Sequence, residues 1–390
     1  MALRVAFLGY RFMARAHANA LARLPMFFPD APATERHTLI GRDEAALADA
    51  ADRLGFTHTA TDWRAAIEDV DVLYNLGPNH VHPEPSIGAL ESGVHVLCEK
   101  PLAPTLSDAE RMATAAAESD ALAGCAFNYR FLPAIQYARR LIEHGELGEI
   151  HHFRGRYLQD WLLDPETPWS WRNAAELAGS GALGDLGAHT IDLARFLVGD
   201  RAGEIERVSG HLETFVGERP VESDGGGGES DGDNGSGGDG GDDTDGTRPV
   251  TVDDAYSAQF AFGNGAMGTV AASRFAAGHE NDHTIAVHGS EGSLRFSLER
   301  PNELEVLSGD GRGYETVLVT DSEDPYVDRW WPPGHVLGWE HAFVHEDYEF
   351  LSAVGGEEPF SPSFAGGLAV QRVLDAIERS DERGEWVALS

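Results

Sequence analysis

Short apolar runs alternate with segments of helical spacing over the first third of the chain. The apolar runs are typical of buried strands and occupy residues 5–9, 38–41, 70–76, 94–98 and 122–127. Helical spacing of apolar residues follows at 12–24, 44–54, 85–91 and 107–118. Because strands that alternate with helices in this way form a parallel sheet covered on both faces, residues 1–125 predict a doubly wound α/β domain.

After residue 126 the pattern changes to longer β-rich runs. One amphipathic helix is predicted at 133–144, and strands are predicted at 150–157, 205–215, 255–262, 267–273, 283–288, 293–297 and 304–307. Residues 126–390 therefore predict an α+β domain with a large, mostly antiparallel, open-faced sheet. Since an open face can pack on a partner subunit, we expect a homodimer or homotetramer.

Residues 222–247 differ from both domains. They contain 11 glycines and 9 acidic residues and no aromatic or aliphatic side chain. Such a segment cannot bury enough apolar surface to offset its ordering entropy, so we predict a disordered acidic loop within the second domain. The alternative is a calcium site of the repeat-in-toxin type, but the nonapeptide period and its apolar position are missing. We expect no metal.

The charge balance narrows the classes of partner. The chain has 65 acidic and 29 basic residues, a formal net charge of -36, and every basic residue except Lys100 is arginine. A field of this sign repels nucleic acid and anionic membranes, and no apolar run approaches the roughly 18 residues of a membrane helix. We interpret the acidic surplus as adaptation to molar salt in a halophile; a merely acidic protein is the alternative.

The cysteines and the N-terminus bear on location. Cys98 and Cys125 are the two cysteines, and both lie in apolar strand-like runs, which predicts buried free thiols. The first nine residues lack the basic, apolar, small-residue order of a secretory signal. We expect a cytoplasmic protein.

The turn after the first strand is a candidate phosphate-binding segment. A dinucleotide-binding Rossmann fold places Gly-x-Gly-x-x-Gly here, for a tight turn and close approach to the pyrophosphate. Gly9 fits the first position and Ala14 the third, but Arg11 departs from glycine at the second. Because a helix N-terminus offers unpaired N–H groups to phosphate, we expect Gly9, Arg11, Phe12 and Met13 to contact the cofactor.

Two further loops belong to the same predicted crevice. Gly41 stands at the end of the second strand where NAD sites often carry an acid, and Arg42 follows, so the choice between NAD and NADP stays open, with Asp43 as a possible ribose ligand. Loops at strand carboxyl ends line the crevice, so Pro78, Asn79 and His82 are candidates for cofactor or substrate contacts. A purely structural turn is the alternative.

The segment Glu99-Lys100-Pro101 ends the predicted strand 94–98. A lysine at the carboxyl end of a strand points into the crevice, where a cation can polarise a reacting hydroxyl. Glu99 can orient the loop or contact the nicotinamide ribose. An ordinary surface lysine is the alternative, and we disfavour it because the chain uses arginine everywhere else.

A glycine-rich segment, 179–187, precedes a predicted helix that carries Asp185 and His189. Residues four apart share one face of an α-helix, and a histidine beside a carboxylate suits proton transfer near neutral pH. These two residues are therefore candidates for acid–base chemistry.

Together these segments resemble the glucose-fructose oxidoreductase/inositol dehydrogenase/rhizopine catabolism family, called Gfo/Idh/MocA. The resemblance rests on Glu99-Lys100-Pro101 with Asp185 and His189, and on residues 128–133. Within the family, residues 157–161, 169–172 and 333–345 look like the branch that contains levoglucosan dehydrogenase. The resemblance covers the whole chain except the acidic loop.

The resemblance implies roles for individual residues. Lys100 would bind the substrate hydroxyl, His189 would remove its proton, and Asp185 would orient His189 or bind a neighbouring hydroxyl. Three further residues would line a sugar pocket, namely Tyr129, Gln159 and Trp161. The implied activity is NAD(P)-dependent oxidation of a secondary alcohol of a sugar, anhydrosugar or inositol. The alternatives are an NAD-dependent glycosidase on the same scaffold and a non-catalytic sugar-sensing regulator.

Overall fold

The computed structural model describes residues 2–221, 246–309, 311–356 and 359–389. The first domain contains six strands, at Leu3–Leu8 (β1), Thr34–Ile40 (β2), His58–Ala60 (β3), Val72–Asn75 (β4), His95–Glu99 (β5) and Ala123–Ala126 (β6). Its helices are Phe12–Phe27 (α1), Glu44–Leu54 (α2), Trp63–Ala66 (α3), Pro83–Glu91 (α4) and Leu106–Glu118 (α5). The strand order is β3-β2-β1-β4-β5-β6 and all pairs are parallel, which confirms the predicted Rossmann domain.

The strand order reverses between β1 and β4, which lie side by side at the centre of the sheet. Ligands of doubly wound sheets bind at this point, outside the carboxyl ends of the strands. Gly9 makes the turn from β1 into α1 with φ +106°, and a Cβ there would lie 2.7 Å from the Leu76 carbonyl oxygen. Only glycine allows this close passage of the turn across the end of β4.

The second domain contains the remaining strands, at Ile150–Leu158 (β7), Ile205–Glu213 (β8), Glu218–Pro220 (β9), Thr247–Pro249 (β10), Ala255–Phe262 (β11), Met267–Ser273 (β12), Asp282–Gly289 (β13), Gly292–Ser297 (β14), Glu303–Ser308 (β15), Glu315–Leu318 (β16) and Val387–Ala388 (β17). Its helices are Pro133–Glu143 (α6), Ala175–Ala178 (α7), Ala188–Ala202 (α8), His341–Val354 (α9) and Phe364–Arg383 (α10).

Nine of these strands form one sheet in the order β16-β15-β14-β13-β7-β12-β11-β8-β17. Its one parallel pair is β7 with β12, so the predicted, mostly antiparallel sheet is confirmed. Helix α8 covers one face closely, because a Cβ at Gly155 would lie 2.3 Å from the Thr190 methyl group. The other face carries Arg154, Arg156 and Arg295 around a shallow cavity of about 420 Å³.

The C-terminal helices return to the first domain, which the sequence pattern did not predict. Helix α9 packs on α1 and joins the core around β1 through Phe343, Val344 and Phe350. Next to it, the Cys125 N–H of β6 donates to the Pro362 carbonyl oxygen at 2.9 Å. Residues far along the chain thus complete one side of the Rossmann domain, and a division of the chain at residue 125 stays a prediction.

The predicted disordered loop falls almost entirely on residues 222–245, which lie outside the described residues. Its C-terminal limit is wrong, because Thr247 pairs with Pro220 in the two-stranded sheet of β9 and β10. The Thr247 hydroxyl also donates to Glu218 at 2.9 Å, which fixes the start of β10. None of the helices in the described ranges is both long and apolar enough to cross a membrane.

Candidate active site

A cavity of about 430 Å³ lies between the two domains, above the point where the strand order reverses. It is lined by nine of the residues that the sequence singled out: Phe12, Met13, Asn79, Glu99, Lys100, Tyr129, Gln159, Asp185 and His189. The tertiary structure therefore brings the cofactor candidates of the first domain and the sugar candidates of the second around one space.

Lys100 lines this cavity and is held by Asp185. The Lys100 ammonium Nζ donates to the Asp185 carbonyl oxygen at 2.8 Å and to its carboxylate Oδ1 at 3.1 Å. Burial raises the pKa of the Asp185 carboxyl, but the charges of Lys100, Arg172 and Arg274 outweigh it and lower that pKa to about 2. Asp185 is therefore an anion at every physiological pH, and it keeps the Lys100 ammonium directed into the site.

The segment around Asp185 is a π-helical turn, Leu183–Gly187, that runs directly into α8. Asp253 fixes its start, since its carboxylate accepts hydrogen bonds from the Gly181 N–H at 2.7 Å and the Leu183 N–H at 2.8 Å. A Cβ at Gly181 would lie 1.7 Å from the Asp253 carbonyl oxygen, which explains the glycine. Wide π-helical turns are frequent at functional sites.

The expected pairing of Asp185 with His189 is absent from the hydrogen bonds of the described residues. The α-helical spacing that predicted a shared face does not apply, because Asp185 lies in the π-helical turn and His189 in the α-helix that follows. Asp185 instead bonds Lys100, which is 85 positions away in the chain. The carboxylate thus positions the cation rather than the histidine.

His189 is buried against the Tyr129 ring, with a distance of 4.3 Å between the ring centroids. Burial lowers the pKa of His189 well below its ordinary value of 6.5, and the nearby charge of Lys100 lowers it further. At neutral pH the imidazole is therefore uncharged and can accept a proton. Its Nδ1 atom is buried without a hydrogen-bond partner among the described residues.

A chain of hydrogen bonds orients the polar groups on the second-domain side of the cavity. The Trp161 indole N–H can only donate, and it donates to Gln159 Oε1 at 3.0 Å. Gln159 Nε2 therefore donates to Asn281 Oδ1, also at 3.0 Å, and the Tyr157 hydroxyl donates to the same oxygen at 2.6 Å. Since its proton is used there, the Tyr157 oxygen accepts from the Tyr129 hydroxyl at 2.8 Å.

These hydrogen bonds fix the orientation of the predicted substrate residues. Gln159 lines the cavity, and each group of its amide makes one hydrogen bond within the protein, which leaves one N–H and one lone pair for a ligand, so its contact with a sugar hydroxyl stays a prediction. Trp161 is 39% exposed and lies beside the cavity rather than in its lining. Asn281 lines the cavity with its oxygen occupied and its Nδ2 group left as a donor.

Several lining residues were not assigned roles from the sequence: Arg172, Arg274, Asn281, Trp339 and Phe343. Arg172 belongs to the Trp-rich segment 169–172, where an arginine among aromatics was the available signal. Trp339 lies just before α9 and Phe343 lies within it, and no local pattern indicates that they reach the cavity. Their spacing of four residues near the start of a helix is the one feature of the sequence that pairs them.

The first-domain end of the cavity fits a dinucleotide. Helix α1 begins at Phe12 against the tight Gly9 turn, has no acidic residue in its first turn, and is preceded by the exposed Arg11. The unpaired N–H groups of such a helix start attract phosphate. The Phe12 ring stacks on Trp339 at 5.7 Å between centroids, so aromatic surface continues from this end towards the substrate side.

Four other cofactor candidates lie outside the cavity lining, at Gly9, Arg11, Arg42 and Pro78. A Cβ at position 41 would lie 2.4 Å from the Tyr10 ring, so a larger residue there requires the ring to shift. The Asp43 carboxylate accepts the N–H groups of Ala45 and Ala46 as the N-cap of α2.

His82 does not contact the cavity either. It is fully buried, and its two ring nitrogens each lie 3.0 Å from a backbone carbonyl oxygen, that of Pro101 and that of Gly77. Its role is to join the loop after β4 to the Lys100-Pro101 loop. Asn79 lines the cavity and also donates to the Ala178 carbonyl oxygen at 2.8 Å, which ties the two domains together.

Comparison with known proteins agrees with this geometry. Residues 3–127 match the family model described as "Oxidoreductase family, NAD-binding Rossmann fold", and residues 135–295 match the model of the GFO/IDH/MocA C-terminal domain. The levoglucosan dehydrogenase of Pseudarthrobacter phenanthrenivorans is 41% identical over 99% of this chain and 97% of that protein. Glucose-6-phosphate 3-dehydrogenase of Bacillus subtilis is 24% identical over 99% of both chains.

Solved structures are similar over the same length. The crystal structure of an oxidoreductase domain protein from Kribbella flavida has a TM-score of 0.90 and 43% identity, with both chains fully covered. A levoglucosan dehydrogenase in complex with NADH and levoglucosan also has a TM-score of 0.90, at 38% identity and full coverage of both chains. By its fold, its cavity and this full-length likeness, the chain belongs to the Gfo/Idh/MocA family of NAD-binding oxidoreductases.

Proposed function

We propose that this protein is an NAD-dependent dehydrogenase that oxidises a secondary hydroxyl of an anhydrosugar, with levoglucosan as the first candidate. The observation that carries the proposal is the joint placement of a cation, Lys100, and an uncharged histidine, His189, in one cavity at the reversal point of the Rossmann sheet. The 41% identity to a levoglucosan dehydrogenase supports the choice of substrate.

Each of the cavity residues has its own role in the reaction. Lys100 donates to the reacting hydroxyl oxygen and stabilises the negative charge that develops there. His189 accepts the hydroxyl proton, because its lowered pKa keeps the ring neutral at working pH. Asp185 holds Lys100 in place, and Asn281 Nδ2 donates to a neighbouring sugar hydroxyl. Nicotinamide supplies the hydride acceptor when it is bound.

The second-domain wall suits an uncharged sugar. Tyr129, Trp171, Trp339 and Phe343 give the cavity aromatic surface, which packs on the C–H faces of a pyranose. Hydrogen bonds within the protein fix the direction of the Gln159, Asn281 and Tyr157 groups, as a site that discriminates among hydroxyl patterns requires.

The cofactor proposal is NAD with tolerance of NADP. No carboxylate occupies position 41 to exclude a 2′-phosphate, and the exposed Arg42 stands beside it. NADH in the related levoglucosan dehydrogenase structures supports NAD as the main cofactor.

The test is the absorbance of reduced nicotinamide in molar KCl, with NAD and NADP in turn, on levoglucosan, glucose, sorbose and inositol. Growth of the signal with levoglucosan, and its loss in His189→Gln, supports the proposal. His151→Gln, at an exposed histidine of β7, is the matched control. Cleavage of an aryl glycoside without that signal identifies a glycosidase instead, and sugar binding with neither signal identifies a regulator.

We also propose a homo-oligomer formed through the open face of the nine-stranded sheet and a cytoplasmic location. The cavity on that face is lined by four arginines (Arg154, Arg156, Arg295 and Arg300) against Glu303 and Glu305, so arginines outnumber acids there in a strongly acidic chain, which favours contact with acidic surface of a second copy. Cys98 and Cys125 lie opposite one another on β5 and β6 as free thiols, as suits a reducing compartment. Light scattering of the purified protein tests the oligomer.

A further inference from the structure

A buried cluster of ionisable side chains adjoins the cavity at Glu99, and its members have no role in the chemistry described above. His17 comes from α1, Tyr74 from β4, Glu99 from the end of β5, and Glu346 and Asp347 from α9. Glu99 is 6% exposed and the other four are 0% exposed. Burial of several acids in one place is costly unless a cation balances them, so the cluster needs an explanation.

His17 stands between two of the carboxylates. Its Nδ1 lies 2.9 Å from Asp347 Oδ1, and its Nε2 lies 3.5 Å from Glu99 Oε1. Phe7, Tyr74 and Phe343 surround the ring at 5.2 to 6.3 Å between centroids and leave it no room to turn. The imidazole is therefore hydrogen-bonded to α9 through Asp347 and lies within ion-pair distance of Glu99, at the end of β5, without a hydrogen bond to it.

The charge state of His17 follows from its neighbours. Burial alone lowers the pKa of His17, but Asp347 and Glu99 outweigh that effect and raise it to about 10. Burial raises the pKa of Glu346 well above its ordinary range, so Glu346 keeps its proton. Burial also raises the pKa of the Tyr74 hydroxyl, which stays neutral. Burial raises the pKa of Asp347 as well, while the charge and the hydrogen bond of His17 oppose that rise. Among the described residues of the cluster, His17 thus supplies the positive charge.

Glu99 carries the effect of His17 to Lys100. While Oε1 of Glu99 faces His17, its Oε2 accepts a hydrogen bond from the Lys100 backbone N–H at 3.1 Å. Lys100 is therefore held at two points, at its backbone by Glu99 and at its ammonium by Asp185. Without the His17 charge, Glu99 would face Asp347 with no balancing cation. The hydrogen bond from the Lys100 N–H to Glu99 would then weaken.

We propose that His17 is a positioning residue for Lys100, which it holds through Glu99 while its imidazolium is anchored on Asp347 of α9. The proposal rests on the proposed dehydrogenase function. Helix α9 and the residues just before it line the cavity with Trp339 and Phe343. The proposal gives α9 a second role, which is to fix the position of Lys100.

The first experiment compares wild type with His17→Gln in molar KCl. Because a misplacement of about 1 Å costs about a hundredfold in rate, we expect kcat to fall about 10- to 100-fold while KM for the sugar changes little. In a Glu99→Gln background, His17→Gln should lower kcat no further, because the ion pair through which His17 acts on Lys100 is already lost. Fully additive effects of the two substitutions would overturn the proposal.

The second experiment does not depend on activity. Hydrogen exchange at the Lys100 amide should quicken in His17→Gln, and in Asp347→Asn should the first variant fail to fold. Nitrogen-15 NMR of labelled histidines should find His17 doubly protonated at about pH 8. His283, whose pKa burial lowers to about 3, is the neutral control in the same sample.

The outcomes separate the two proposals. If wild type oxidises none of the sugars, the proposed function fails, while amide exchange and NMR still decide whether His17 holds Lys100. A neutral His17 ring overturns the positioning proposal. So does a stoichiometric metal in the purified protein, because a metal ion would then balance the carboxylates in place of the imidazolium.

Discussion

Lys100→Met tests the catalytic assignment directly, because it removes the charge of the chain's single lysine and keeps an unbranched side chain. The Lys100 side chain is 17% exposed, and its Nζ donates to Asp185 at 2.8 and 3.1 Å. The substitution deletes both hydrogen bonds and the cation that faces the reacting hydroxyl. The backbone bond from the Lys100 N–H to Glu99 is retained.

The expected loss is large because the deleted charge acts on the developing oxyanion. Removal of one preorganised donor costs about 100- to 1,000-fold in kcat. Lys100 supplies charge as well as a hydrogen bond, so we expect the upper end, about 1,000-fold or ~4 kcal/mol. Cofactor affinity should stay within about threefold of wild type, since the proposed phosphate site is the start of α1 rather than Lys100.

Two pH effects should accompany this loss. Burial lowers the pKa of His189 and Lys100 lowers it further, so in the variant that pKa rises and the acid limb of kcat/KM moves to higher pH. The pKa of Asp185 is about 2, against an ordinary value of 3.8, and so lies below that of the unfolded chain. Its ionisation therefore stabilises the fold above pH 3.8 by about 2 kcal/mol, a contribution lost as the pH falls towards 2.

The assay combines reduced-nicotinamide absorbance with cofactor titration and urea unfolding, all in molar KCl. Loss of Lys100 should reduce the pH-dependent part of stability, so the variant and wild type should converge in stability at the acid end. Lys100→Arg, which keeps the charge in a planar group, should recover only part of the rate. A Lys100→Met variant that binds cofactor and retains kcat within about threefold of wild type would refute the reasoning.

Three further predictions concern other parts of the molecule. Asn281→Leu should raise KM for the sugar about tenfold with a smaller change in kcat, because one donor to a substrate hydroxyl is lost; steady-state kinetics measure this. Arg130→Met should cost about 3–5 kcal/mol in urea unfolding, because Arg130 forms a bidentate buried ion pair with Asp192. The half-exposed pair of Arg139 with Glu143 is the control, and Arg139→Met should cost about 0.5 kcal/mol or less. Arg42→Ala should lower kcat/KM for NADP about tenfold and leave that for NAD nearly unchanged, and an equal loss for both cofactors would contradict a role at the 2′-phosphate.

Local patterns were enough for the Rossmann domain and for the position of Lys100. Alternating apolar and helical segments specify a parallel sheet, because each strand must be buried on both faces. The end of β5 then places Lys100 at the carboxyl edge, whatever the rest of the chain does. The short β3 was missed because its three residues are exposed or half-exposed and form no apolar run.

The functions of individual polar groups depended on partners that local pattern does not reveal. Asp185 was expected to orient His189, four positions away, or to bind a neighbouring hydroxyl. In the structure it lies in a π-helical turn and is hydrogen-bonded to Lys100, 85 positions away. Gln159 was expected to bind the sugar, and the structure adds that Trp161 and Asn281 fix the orientation of its amide and that Asn281 also faces the cavity.

The sequence by itself determined the fold class, the family and the lysine at the end of the strand, since these follow from periodicity and from motifs within a few residues. The tertiary structure alone decided which hydrogen bonds each group makes and which helix closes the site. His17 and Asp347 are 330 positions apart, yet they meet at 2.9 Å beneath the lysine because α9 packs back on α1. Hydrogen bonds have direction and buried charges need partners. Because these partners can come from distant parts of the chain, they leave no periodic pattern in the sequence.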